Sequence, residues 1–114
     1  MISHIDTTVL VAALVSTEVR HEACASLLNG PSLGIYGHGL TEAFNTLTGG
    51  RLGFRLPAGV VAQQLATVIA PLLNVMVLTS EETLAAFMDA ESRGVRGGAI
   101  FDYLHLVAAR KAGG

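Results

Sequence analysis

Three acidic side chains, Asp6, Glu42 and Asp102, stand where an apolar run of the chain gives way to a helical pattern. A carboxylate beside a core is costly unless something pairs with it, because burial disfavours the charged form. One such residue has a local explanation. Three at equivalent turning points, brought to one end of a sheet, imply a shared divalent cation. Oxygen ligands without cysteine thiolates suit Mg²⁺ or Mn²⁺, and Mg²⁺ keeps several waters, so two or three carboxylates are enough to hold it. Without an ion, carboxylates this close repel, and at least one is expected to bind a proton more readily than usual. Asp6 and Asp102 are the best candidates for direct ligands. Glu42 either ligates or acts through a water as a general base.

Each acid also has a local reading. Asp6 can cap the helix that follows it, Glu42 can be a solvated helix residue despite its neighbours Leu40, Ala43 and Phe44, and Asp102 can complement a helix dipole. Thr8 can hydrogen-bond an Asp6 oxygen or a water on the ion, or simply its own backbone. His38 precedes Glu42 by four residues and His105 follows Asp102 by three, so each pair shares a helix face. A zinc-like His and carboxylate site is conceivable there. The histidines are expected near the groove, touching substrate or the acids, and His4 and His21 carry no signal. Arg51, Arg55, Arg93 and Arg96 flank expected helix ends, and Arg96, close to Asp102, is the candidate for phosphate contact. Asp89 and Glu91 are expected to face water. Phe44, Phe54 and Phe87 read as core or dimer packing.

The elements that must position these groups follow from patterning. Residues 2–6 form a short apolar run ending in an acid, and residues 7–15 permit a helix. Thr17 can cap a second helix over 17–28 with Val19, Ala23 and Leu27 on one face, stopped by Asn29, Gly30 and Pro31. Residues 32–36 read as a strand and 37–47 as a helix. Pro57 suits the first turn of a helix over 57–70. Residues 74–79 read as a strand, and Ser80, with Glu82 and Thr83, opens a helix over 80–93. The glycine-rich turn GVRGG leads into a last helix over 99–112. Strands alternating with helices give a three-layer α/β/α sandwich around a parallel sheet, in which ligands sit beyond the carboxyl ends of the strands.

Composition narrows the function classes. A chain of 114 residues, 51% hydrophobic and 14% charged, folds as one domain over 1–114 and is not disordered. The formal net charge of -2 supplies no global field for nucleic acid, so a polyanion would need local arginines or metal ions. The single Cys24 fits a reducing, cytoplasmic setting and reads as a small core residue on a helix. The start of the chain lacks a secretory leader. Residues 56–80 carry no charge, yet Gln63, Gln64, Pro71 and Asn74 interrupt them, so they read as a buried helix, a turn and a buried strand, not a membrane span.

Three segments, taken in order, resemble the PIN-domain nucleases, and among them the VapC-type toxins of bacterial toxin–antitoxin pairs. HIDTTVLVAAL is similar to that family's first strand, acid and following helix. GLTEAFNTLTG is similar to its helix with an inward glutamate. GVRGGAIFDYLHLVAARKAG, a glycine turn, an acid and an alanine-rich helix, is the most specific match. The resemblance implies that Asp6, Glu42 and Asp102 bind Mg²⁺ or Mn²⁺ and that a water activated there attacks an RNA phosphodiester in line. It also implies a homodimer, neutralised by a small antitoxin. Family members continue into another strand with a fourth acidic or amide residue, whereas this sequence stops at Gly114. The chain is therefore expected to be truncated there, with a catalytically impaired fragment, active only in dimerisation or antitoxin binding, as the alternative. A phosphoacceptor receiver would need a further acid pair and a suitable lysine, and Lys111 is the sole lysine. A DxD phosphatase fails because Thr8 stands where its second acid belongs.

Overall fold

The computed structural model describes residues 3–29 and 33–113. Three short strands, β1 (Ser3–His4), β2 (Leu33–Tyr36) and β3 (Leu73–Met76), form a parallel sheet in the order β1-β2-β3. Ser3 pairs with Leu33, and Leu33 through Tyr36 pair with Leu73 through Met76. Among the described residues six α-helices connect and cover them: α1 (Thr7–Leu14), α2 (His21–Leu28), α3 (Gly37–Thr48), α4 (Ala58–Gln64), α5 (Ser80–Ser92) and α6 (Ala99–Lys111). Gly30, Pro31 and Ser32, expected to end α2 and begin β2, lie outside the described residues, as do Met1, Ile2 and Gly114.

The alternation of β2 builds the layers. Leu33 and Ile35 point to one face, where they join Leu10, Val11, Val15, Ala43, Leu47, Val61, Leu65 and Ile69 from α1, α3 and the α4 region. Tyr36 points to the other face, against Ala86 and Ala90 of α5 and Tyr103 and Leu104 of α6. The result is the expected α/β/α sandwich. Leu10, Ile35 and Leu47 are the largest fully buried side chains, each stabilising the fold by about 1.5–3 kcal/mol.

Several expected boundaries shift for identifiable reasons. Residues 17–20 form turns, and α2 begins only at His21, with Arg20 at its cap and no side-chain capping bond; Thr17 does not cap it. The face expected over Val19, Ala23 and Leu27 is also wrong. Val19 is 100% exposed, and Cys24 is the residue that α2 buries, against Ala12 and Ala13. The helix expected over 57–70 is not buried all round, since Val61, Leu65 and Ile69 form one buried stripe. It widens into a π turn at Leu65–Ile69 and tightens into a 3₁₀ turn at Ala70–Leu72. Pro71 has no N–H with which to continue the α ladder. Among the described residues no helix is long and apolar enough to cross a membrane. Phe44, Phe54 and Phe87 are 37%, 39% and 44% exposed and do not enter the core.

Ser80 opens α5, as expected, and the residue before it, Thr79, is its cap. Thr79 Oγ1 accepts from the Glu82 N–H at 3.0 Å, and Glu82 Oε1 accepts from the Thr79 N–H at 2.8 Å, a reciprocal box that satisfies two otherwise unpaired donors. In the turn before α6, Gly94 and Gly97 adopt φ of 73° and 61°, which side-chain-bearing residues rarely do. Lys111 Nζ then donates to the Val77 carbonyl and to Glu82 Oε1, both at 2.7 Å, fastening the end of α6 to the exit of β3.

Candidate functional site

Asp6 leaves the sheet at the carboxyl end of β1, which is anchored by the Ile5 N–H donating to the Gly34 carbonyl at 2.8 Å. Its backbone is extended, and Oδ1 accepts from the Val9 N–H at 3.1 Å, so the capping role considered for Asp6 is real. The side chain remains exposed. Thr7 Oγ1 donates to the Gly39 carbonyl at 3.4 Å and ties the start of α1 to the start of α3. Thr8 is exposed on α1.

Glu42 lies one turn into α3 and is the best-connected of the three candidate acids. Its Oε1 meets His38 Nδ1 at 3.0 Å and His105 Nε2 at 3.1 Å. An ionised carboxylate only accepts, so both imidazoles turn an N–H towards it. Burial pushes the Glu42 carboxyl up, but the hydrogen bonds from His38 and His105 outweigh it and hold the group below its ordinary range. The repulsion expected to raise a carboxylate here therefore does not govern Glu42, because its immediate neighbours are imidazoles and not acids.

His105 also lines a cleft of about 420 Å³ together with His4, Ile5, Asp6, Val9 and Leu33. His4, which carried no signal in the sequence, has a buried Nε2 without a hydrogen-bond partner among the described residues. Burial, then the charge of His105, lowers its pKa and favours the neutral ring. Asp102 is exposed in the first turn of α6, three residues ahead of His105. Arg96 is exposed in the turn leading to it.

The structure thus brings Asp6 and His105 to one cleft and joins His105 to Glu42, and it does not draw Asp102 into that network. Among the described residues no group of three or more His, Cys, Asp or Glu side chains is close enough to hold a metal ion. The donor chemistry still suits a hard cation, since Asp6, Glu42 and Asp102 offer carboxylate oxygens and no thiolate competes. Mg²⁺ needs only one or two carboxylates when waters and a substrate phosphate complete its octahedron. An open, incomplete set of this kind fits such an ion, whereas a closed zinc-like cage is not formed.

Sequence reasoning missed a run of stacked rings beside this network. The ring of Phe101 lies parallel to that of His38, with centroids 5.5 Å apart and 11° between planes. His38 in turn stacks on Tyr36 at 6.0 Å and 27°, and Tyr36 meets His105 edge-on at 5.4 Å and 90°. The only signal in the chain was the placing of aromatic residues on both sides of Asp102. Asp89, expected to face water, is exposed but also accepts a hydrogen bond from Tyr103 Oη.

The whole fold is similar to the crystal structure of the Mycobacterium tuberculosis toxin VapC20, described as cleaving the Sarcin-Ricin loop. The TM-score is 0.73 at 20% sequence identity, over 96% of this chain and 82% of that one. The architecture is accordingly PIN-like, as the three sequence segments implied. No family model and no curated protein sequence matches the chain.

Proposed function

We propose that this chain is a Mg²⁺- or Mn²⁺-dependent endoribonuclease toxin of the VapC type, acting in the cytoplasm as a homodimer and neutralised by a small antitoxin. The observation that supports the reading is that Asp6, at the carboxyl end of β1, shares a cleft with His105, whose Nε2 is hydrogen-bonded to Glu42. That is where parallel α/β sheets bind their ligands. The likeness to VapC20, itself a Sarcin-Ricin loop cleaving toxin, supports RNA as the substrate.

In this reading Asp6 and Asp102 would hold the cation, and Glu42 would either ligate it or work through a water. The chemistry supplied by the bound ion is polarisation of a phosphodiester oxygen and a lower pKa for water. Glu42 is kept ionised by His38 and His105 and takes a proton from the attacking water. Arg96 meets a substrate phosphate, and Thr8 hydrogen-bonds Asp6 or a water beside it. The test is cleavage of structured RNA by purified chain with Mg²⁺ or Mn²⁺, compared with Asp6→Asn and Asp102→Asn. Equal cutting by all three proteins, or none with either metal, defeats the reading.

A further inference from the structure

We propose that Phe101, with the ring of His38 stacked behind it, forms a platform on which one unpaired nucleobase of the RNA stacks. The inference rests on the ribonuclease reading and deepens it. Phe101 is 48% exposed although it sits in the first turn of α6, where its neighbours Ile100, Tyr103 and Leu104 all turn into the packing against α5. Core formation therefore does not account for its placement. Its ring is instead aligned within 11° of His38, whose own ring is pinned by the bond from Nδ1 to Glu42 and backed by Tyr36. The outer π face of Phe101, partly exposed and backed by an aligned ring before a ligand arrives, matches a nucleobase better than an aliphatic group, which gains nothing from ring alignment.

The surroundings agree with a base and not with a bare phosphate. Glu42 and Asp102 flank the two rings and repel an anion at the platform itself, while Arg96 stands five residues before Phe101 in the preceding turn. Bases within a duplex have both faces covered by their neighbours, so only a splayed, unpaired nucleotide can take up the platform.

The experiment is direct binding of fluorescent RNA to the full chain, in Ca²⁺ and in chelator, using a hairpin with an unpaired loop and a fully paired duplex. Phe101→Leu keeps apolar bulk and removes the π face, and Phe101→Trp restores it. Phe101→Leu is expected to weaken loop binding about 5- to 150-fold, the range for one lost base stack. Phe101→Trp should bind like the parent, and duplex binding should be the same in all three. Thermal unfolding of each protein separates a folding defect from a binding one. Loop affinity unchanged in Phe101→Leu, or loop and duplex weakened equally, overturns the platform while leaving the ribonuclease reading in place. A parent chain that binds no RNA in any form overturns both.

Discussion

Glu42 on α3 and His105 on α6 are joined at 3.1 Å across 63 residues of chain, and the same Glu42 oxygen also holds His38. The carboxylate is thus the junction between two helices on opposite faces of the sheet. Glu42→Gln keeps the shape and removes the charge. If Glu42 is the base, RNA cleavage should fall about 10²- to 10⁴-fold.

The same junction predicts a pH signature. With its folded pKa held below the ordinary 4.5 by His38 and His105, against the opposing effect of burial, Glu42 stabilises the fold at pH above 4.5. That contribution is lost as pH falls through the folded value, because the unfolded chain then binds the proton first. Denaturant midpoints of the parent and Glu42→Gln should differ at neutral pH and converge as acid is added past 4.5. Parallel curves down to the acid limit would contradict the assignment.

Asp6 has a structural duty and a proposed chemical one, and one substitution separates them. Asn caps a helix as well as Asp does, so Asp6→Asn should unfold within about 0.5 kcal/mol of the parent. Cleavage should nevertheless drop by about 10²-fold or more, as when a preorganised electrostatic group is removed. Chelation should abolish the parent's activity, and added Mn²⁺ should restore it.

Gly39 on α3 faces side chains of both β2 and α6 at close range. A Cβ there would lie 2.9 Å from Ile35 Cδ1 and 3.0 Å from His105 Cε1, and the Ile35 side chain is fully buried. Gly39→Ala should therefore destabilise the protein by about 1–3 kcal/mol, the usual cost of overpacking. Urea unfolding checks this. An unchanged midpoint would mean that α3 lifts off the sheet without penalty.

Glu82 serves both the α5 cap and Lys111. Its carboxyl is lowered from 4.5, first by the Lys111 hydrogen bond and then by the Thr79 N–H. Glutamine can still complete the capping box, so Glu82→Gln isolates the tie to Lys111. The melting temperature should drop at neutral pH, and the gap should close as pH falls below 4.5, where the unfolded glutamate is protonated. In a Lys111→Met background the same substitution should have much less effect.

Much of this was legible along the chain. The strand-then-helix alternation and the glycine turn ahead of α6 are local signals, and short-range rules read them well. The start of α5 at Ser80 was read in place, and its cap is the preceding Thr79, whose extended backbone lets its hydroxyl accept from the Glu82 N–H. The face of α2 was misread because Val19 lies in a turn, where helical spacing has no meaning.

The sequence by itself determined the fold class, the three carboxylates where apolar runs give way to helices, and the pairing of His38 with Glu42, since four residues on one helix fix a shared face. Only the tertiary structure decided that His105 reaches Glu42, that His4 loses its solvent beside them, and that Phe101 aligns with His38. Each of those contacts joins elements distant in the chain. Their geometry depends on how closely α3 and α6 approach the sheet, which Gly39 permits and no local pattern encodes.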